Sequence, residues 1–256
     1  MSNIKDAFSN GKAFIGFLTA GDPSLEKTVE YILEMERGGA TLVEIGIPFS
    51  DPIAEGPVIQ EANIRALEAG MKTEDVFIIV QEVRKVSKIP LVFLTYLNPV
   101  FHYGYEAFFK RCKETGVDGI IIPDLPYEEK QEVDSVCSKY DIDLISLITP
   151  TSKERALMIA KEAKGFIYLV SSMGVTGMRN NITTDLQSII NDIKTVSEVP
   201  VAIGFGINTV EQVEHFSEMA DGVIVGSAIV NIIKEHGTHA KDAIYQYVKT
   251  ISAPTK

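Results

Sequence analysis

The chain has 256 residues, with 24 Lys and Arg against 35 Asp and Glu; a formal net charge of -11 and the lack of any basic run argue against nucleic acid or an anionic membrane as the main partner. Its two cysteines, Cys112 and Cys137, both fall in helical patterns and read as packing residues in a reducing compartment rather than a disulfide framework. No apolar run approaches the ~18 residues of a membrane span, and MSNIKDAFSNGK at the N-terminus has no apolar targeting core, so a soluble cytoplasmic protein is expected.

From the N-terminus onward one rhythm repeats. AFIGFLTAG (13–21) reads as a strand. SLEKTVEYILEMERGG (24–39) follows with helical spacing, placing Leu25, Val29, Ile32 and Leu33 on one face and Gly38-Gly39 as the stop. The later strand candidates are TLVEIGIP (41–48), PLVFLTYLNP (90–99), DGIIIPDLP (118–126), DLISLITP (143–150), GFIYLVSS (165–172), PVAIGFGI (200–207) and DGVIVGS (221–227). Amphipathic segments separate them. Eight strands alternating with helices imply right-handed parallel crossovers and point to closure as an α/β (β/α)8 barrel, one domain over residues 1–256. The rival is an open doubly wound sheet, for which AFIGFLTAG lacks the GxGxxG spacing.

In a barrel, function gathers at the C-terminal ends of the strands. Side chains alternate along a strand, so Glu44 points opposite to Val43 and Ile45, into the barrel mouth if those two pack on helices. A lone buried carboxylate costs several kcal/mol unless it is paired or neutralised, which favours general acid/base work over chance placement; the alternative is a Glu satisfied by a nearby hydroxyl or amide. Glu55, on the loop after the same strand, supplies a second acid, and two acids at one mouth suit a reaction that moves protons at two places. Asp124 is a third candidate, with helix capping before EEKQEV as its structural alternative.

Glycine loops lie across the barrel. SSMGVTGMRN follows the sixth strand with Thr176 and Gly177, GFG (204–206) ends the seventh, and GS (226–227) opens a short helical run after the eighth. Glycines let backbone N–H groups approach an anion, and a helix N-terminus adds aligned donors, the arrangement of a barrel phosphate site. His102, His215, His236 and His239 are scattered, and no GxSxG, HExxH or CxxC appears, so neither a hydrolase triad nor a metal centre is indicated.

FLTAGDP (17–23), VEIGIPFSDPIAEGP (43–57), PDLPYEE (123–129), GVTG (174–177), GFGI (204–207) and GSAIV (226–230) together resemble, in order and spacing, the tryptophan synthase alpha subunit family over essentially the whole chain. The resemblance implies cofactor-free and metal-free retro-aldol cleavage of indole-3-glycerol phosphate to indole and glyceraldehyde 3-phosphate. It also implies a pyridoxal-phosphate beta subunit as partner in an α2β2 heterotetramer. By position, Glu44 matches the catalytic Glu, Tyr168 an active-site tyrosine near the C3′ hydroxyl, and Glu55 the second acid, although the family pattern Ala-Asp-Gly-Pro is here Ala54-Glu55-Gly56-Pro57. Phe17, Ile59, Leu94 and Tyr96 match the indole pocket, and Asp124 an acid that orders the second-strand loop through Thr176. Gly177, Phe205, Gly206, Gly226 and Ser227 match the phosphate cradle, while Asp51, Pro52, Asn98 and Pro126 fall where the family meets its partner. Two other functions stay open: a phosphate-binding barrel isomerase, and a catalytically weak alpha-type chain that mainly activates a beta subunit.

Overall fold

The computed structural model describes residues 3–150, 152–171 and 183–256. Nine parallel strand segments form one sheet: β1 (Ala13–Thr19), β2 (Leu42–Gly46), β3 (Leu91–Leu94), β4 (Gly119–Ile121), β5 (Asp143–Leu144), β6 (Ser146–Ile148), β7 (Ile167–Val170), β8 (Val201–Gly204) and β9 (Gly222–Val225). Their order is β5-β4-β3-β2-β1-β9-β8-β7-β6. The two ends of that order are consecutive in the chain and separated only by Ile145, so the sheet closes on itself through one residue. The eight expected strands are therefore eight barrel positions, with the fifth split in two. Asp143–Leu144 pairs with β4 and Ser146–Ile148 with β7; the chain changes neighbour at Ile145, whose amide still bonds the Ile120 carbonyl at 2.9 Å. The strands are also shorter than their apolar runs, because residues such as Pro123 and Pro126 have no N–H for the ladder.

Eleven α-helices are found among the described residues: α1 (Leu25–Gly38), α2 (Pro57–Glu68), α3 (Thr73–Arg84), α4 (Leu97–Tyr103), α5 (Tyr105–Thr115), α6 (Lys130–Lys139), α7 (Lys153–Lys161), α8 (Thr183–Lys194), α9 (Val210–Met219), α10 (Ser227–His236) and α11 (Lys241–Ile251). None is long and apolar enough to cross a membrane. Ser24 caps α1, its hydroxyl accepting from the Lys27 amide, and Gly39 ends the helix at φ 121, a conformation that disfavours other residues. Of the apolar face expected on α1, Ile32 is buried and Leu25, Val29 and Leu33 are partly buried against the same core; Thr28, Tyr31 and Met35 are buried as well, because α1 packs between the sheet, α3 and α11. Cys112 and Cys137 are both buried as free thiols, on α5 and α6.

Strand alternation divides the interior into two cores. The outward set, including Phe14, Val43, Ile45, Phe93 and Val223, packs on the helices. The inward set fills the barrel and includes Ala13, Ile15, Leu42, Val92, Ile121, Ile145, Phe166, Tyr168, Ala202 and Ile224. A 3-10 turn, Ile4–Phe8, closes the N-terminal end by adding Ile4 and Ala7 to that inward set. At the same end Asp118 accepts from the Asn3 and Leu91 amides and from Arg84, a hydrogen-bonded use of a buried charge. The opposite end is where the polar groups lack such satisfaction.

Candidate active site

Glu44 lies in β2 in register with Phe17 of β1 and Val92 of β3, and faces inward. It is completely buried, and neither carboxylate oxygen has a hydrogen-bond partner among the described residues. Burial alone pushes its pKa up to about 8, so the group is a carboxylic acid at neutral pH. The alternative of a Glu satisfied by a hydroxyl or amide is thus not what the structure holds. Thr19 Oγ1, at the end of β1, and Thr95 Oγ1, just after β3, are also buried without a partner among the described residues. Unsatisfied polar atoms gathered at the C-terminal end of the strands depart from the usual pairing of buried polar groups.

Tyr168 of β7 shares that interior. Burial first, and the proximity of Glu44 second, push its phenol pKa well up, so it stays a neutral hydroxyl. Its ring lies over Gly204 at the end of β8, where a Cβ would overlap the Tyr168 hydroxyl. Phe17 makes a similar demand on two glycines: a Cβ at Gly46 would fall 2.8 Å from Phe17 Cζ, and one at Gly226 would fall 3.3 Å from its Cδ1. Phe17 packs with Ala62 and Val230, and Val58, Ile59 and Leu94 complete this small apolar cluster between β1, α2 and α10. The residues expected to form an aromatic-binding wall are therefore brought together beside Glu44, with Tyr96 set slightly apart.

Tyr96 occupies the N-cap position of α4, and burial raises its phenol pKa to about 12. Its oxygen accepts from the Ala54 amide at 3.0 Å, and its ring lies 5.5 Å from that of Phe49. Both contacts tie the loop after β2 to the end of β3. Glu55 follows Ala54. Asn63 Nδ2 donates to Glu55 Oε2 at 2.6 Å, and Gln60 Nε2 donates to the Glu55 carbonyl at 2.8 Å. Burial raises the Glu55 pKa, and hydrogen bonds from Asn63 and then Tyr96 pull it back down. Glu55 and Glu44 are not hydrogen-bonded to one another. The two acids are thus held differently: Glu44 is dry, its pKa raised by burial alone, whereas Glu55 is hydrogen-bonded and its pKa, still raised by burial, is partly pulled back by Asn63 and Tyr96.

Asp124 follows β4. Its Oδ1 accepts from the Leu97 amide at 2.9 Å, so it serves the first turn of α4. It does not cap the helix before which it stands in sequence: Pro126 precedes the 3-10 turn Tyr127–Glu129, and α6 starts at Lys130. The partner expected for it, Thr176, lies outside the described residues, as does Gly177.

The described part of the expected anion cradle is open and backbone-rich. Phe205 and Gly206, after β8, both have positive φ, 82° and 78°. Ser171 Oγ donates to the Phe205 carbonyl at 2.6 Å, which helps hold this unusual turn. Gly226 is the N-cap of α10 and Ser227 its first residue; no side chain caps this end and no acidic residue sits in its first turn. The first amides of α10 therefore face the mouth with the positive end of the helix dipole behind them. Asp51, Asn98 and Pro126 are exposed and Pro52 half-buried on the loops of the same barrel end, where Ile53 and Phe101 are the most exposed large apolar side chains nearby, at 77% and 65%.

Sequence reasoning did not identify Asn63. It lies on the buried side of α2 with Ala62 and Ala66, at 4% exposure. The available signal was a polar side chain on a helix face otherwise lined by alanine. Among the described residues no three His, Cys, Asp or Glu side chains are grouped to hold a metal ion.

Comparison with known proteins places the chain in a family. A sequence model described as "Tryptophan synthase alpha chain" matches residues 3–254. The tryptophan synthase alpha chain of Lacticaseibacillus casei is 51% identical over 251 residues, covering 98% of this chain and 94% of that one. The crystal structure of tryptophan synthase subunit alpha from Legionella pneumophila superposes with a TM-score of 0.89 at 36% identity, covering 100% and 98% of the two chains. A chain from the tryptophan synthase α2β2 complex of the hyperthermophile Pyrococcus furiosus gives a TM-score of 0.86 at 37% identity, covering 94% and 98%.

Proposed function

The chain belongs to the tryptophan synthase alpha chain family, and we propose that it cleaves indole-3-glycerol phosphate to indole and glyceraldehyde 3-phosphate with Glu44 and Glu55 as its two acids. Glu44, protonated at neutral pH in its dry position, gives its proton to C3 of the indole ring. The bond between C3 and the glycerol carbon then breaks, and its electron pair returns to the ring. The Glu44 carboxylate takes the proton of the C3′ hydroxyl as that carbon becomes an aldehyde, and Glu44 is left as it began. One proton has moved from oxygen to carbon, which is why one group with a pKa near neutrality suffices. Glu55, whose side chain accepts a hydrogen bond from Asn63, faces the positive charge that develops at N1–H. Tyr168, always neutral, orients the C3′ hydroxyl.

Phe17, Ile59 and Leu94 supply the apolar surface against which the indole ring rests. Gly206, Gly226, Ser227 and the start of α10 receive the phosphate through backbone donors, as an acidic chain without a basic run requires. The exposed rim around Asp51, Ile53 and Phe101 receives a beta subunit, in the α2β2 arrangement known for the Pyrococcus furiosus relative. The reaction belongs to tryptophan synthesis, in the cytoplasm.

The observation that carries this reading is a fully buried carboxyl at the mouth of the barrel, without a partner among the described residues, beside an apolar wall that also adjoins the bare N-terminus of α10. The experiment is steady-state release of indole from indole-3-glycerol phosphate, with and without beta subunit. Slow release that the partner accelerates supports the lyase. Activation of the partner with no release of indole by the complex would leave only the activator function, and absence of both would leave another phosphate-binding barrel enzyme.

A further inference from the structure

We propose that Asn63 is a positioning residue for this reaction: its buried side-chain amide, on the inner face of α2, fixes the direction of the Glu55 carboxyl group. The inference rests on the reading of Glu55 as the second acid. Its basis is geometric. Asn63 Nδ2 is 2.6 Å from Glu55 Oε2, a short bond of the kind made to a charged acceptor, and Asn63 itself is 4% exposed. Glu55 sits on an irregular loop, whereas Asn63 projects from the second turn of a helix. That helix is anchored in turn. Arg65 reaches the nearly buried Asp22, after β1, with two bonds of 3.0 and 2.7 Å, and Ala62 and Ala66 are fully buried.

A flexible four-bond side chain on a loop is therefore tied to a rigid element by one donor. Glu is one methylene longer than the Asp expected at position 55, and an untethered Glu has more rotamers among which to lose the productive one. An amide N–H can donate to a carboxylate in every protonation state that matters for catalysis, whereas it stabilises the ionised form most. Removing it should both scatter the carboxylate and raise its pKa.

The test uses the complex with beta subunit and compares the parent with Asn63→Leu, Asn63→Asp, Glu55→Ala and the double variant Asn63→Leu/Glu55→Ala. Leu fills the space without a donor, and Asp keeps the shape while placing an acceptor against Glu55. Expected results are a fall in kcat of about 10- to 100-fold for both single Asn63 variants with KM nearly unchanged. The limb of the kcat–pH profile that Glu55→Ala removes should move to higher pH in both. The double variant should be no slower than Glu55→Ala, since Asn63 acts through that side chain. On the parent chain alone, the side-chain amide resonances of Asn63 should follow the titration of Glu55. An unmoved limb, a rate within twofold of the parent, additive losses in the double variant, or amide resonances indifferent to Glu55 would overturn the role of Asn63 and leave that of Glu55 intact. Parental activity in Glu55→Ala would instead remove the reading on which the inference rests.

Discussion

The hydroxyl of Tyr168 occupies the space that a side chain at Gly204 would need, so the end of β8 is kept bare for the sake of a ring that rises from β7. The constraint is one of packing, because Gly204 is not among the glycines with positive φ. Gly204→Ala should destabilise the fold by about 1–3 kcal/mol, the usual range for an added methyl in a filled core, and should slow indole release as Tyr168 is displaced. Denaturant midpoints and steady-state rates measure both. A variant with parental stability and rate would show that the ring has somewhere else to go.

Burial of Glu44 should be visible as a pH-dependent cost to stability. Its pKa rises from 4.5 to about 8 on folding, so below pH 4.5 the group is protonated in both states and is neutral in its effect. Between pH 4.5 and 8 only the unfolded chain ionises, and stability is lost progressively as pH rises; above about 8 the loss is complete, on the order of 5 kcal/mol. Glu44→Gln removes this term, so it should raise Tm more at pH 8 than at pH 5, by roughly 2–4 °C for each kcal/mol. Equal shifts at the two pH values would mean that Glu44 is solvated or paired in solution.

The open turn at Gly206 and the bare start of α10 should matter to the phosphate and not to the ring. A side chain at Gly206 meets no atom within 4 Å but must adopt φ 78°, and Ser227 is the first residue of α10. Gly206→Val and Ser227→Val are expected to weaken binding of glycerol phosphate far more than binding of indole analogues, as read by calorimetry. Parallel losses for both ligands would place the anion elsewhere.

The loop after β2 carries Glu55 on its inner side and Asp51 on its outer side. A beta subunit can accelerate the alpha reaction only by preferring the conformation in which the site is assembled, and a coupling of ~1–3 kcal/mol corresponds to roughly 5–150-fold. Asp51→Ala or Pro52→Ala should reduce activation by the beta subunit and leave the slow rate of the isolated chain unchanged. Measuring both rates on each variant separates this from a general loss of activity, which would sink the coupling role.

Much of the barrel was legible because burial on both faces leaves parallel strands as apolar runs, and eight of them alternate with amphipathic segments. Glu44 was legible for the same reason, as a carboxylate in the middle of such a run. The break at Ile145 was not, since a change of hydrogen-bonding neighbour alters pairing and leaves hydrophobicity untouched. Asp124 read locally as a cap for the next helix, yet its acceptor serves the amide of Leu97, 27 residues earlier, a contact that exists only once the loops are stacked. Asn63 lies in a stretch, Gln60-Glu61-Ala62-Asn63-Ile64-Arg65, where its place beside Ala62 and Ala66 hinted at an inward face, but its partner Glu55 is set by the path of the preceding loop, which the sequence does not show.

The central claim is that Glu44 moves the proton, and the most direct measurement is the steady-state rate of indole release from indole-3-glycerol phosphate by the αβ complex carrying Glu44→Gln. The substitution keeps the shape and cannot transfer a proton, so the rate should fall by at least about 100-fold, within the ~10²–10⁴-fold typical of general acid/base groups, while the glycerol-phosphate affinity stays that of the parent. A rate within about tenfold of the parent, from a folded complex, would contradict the account.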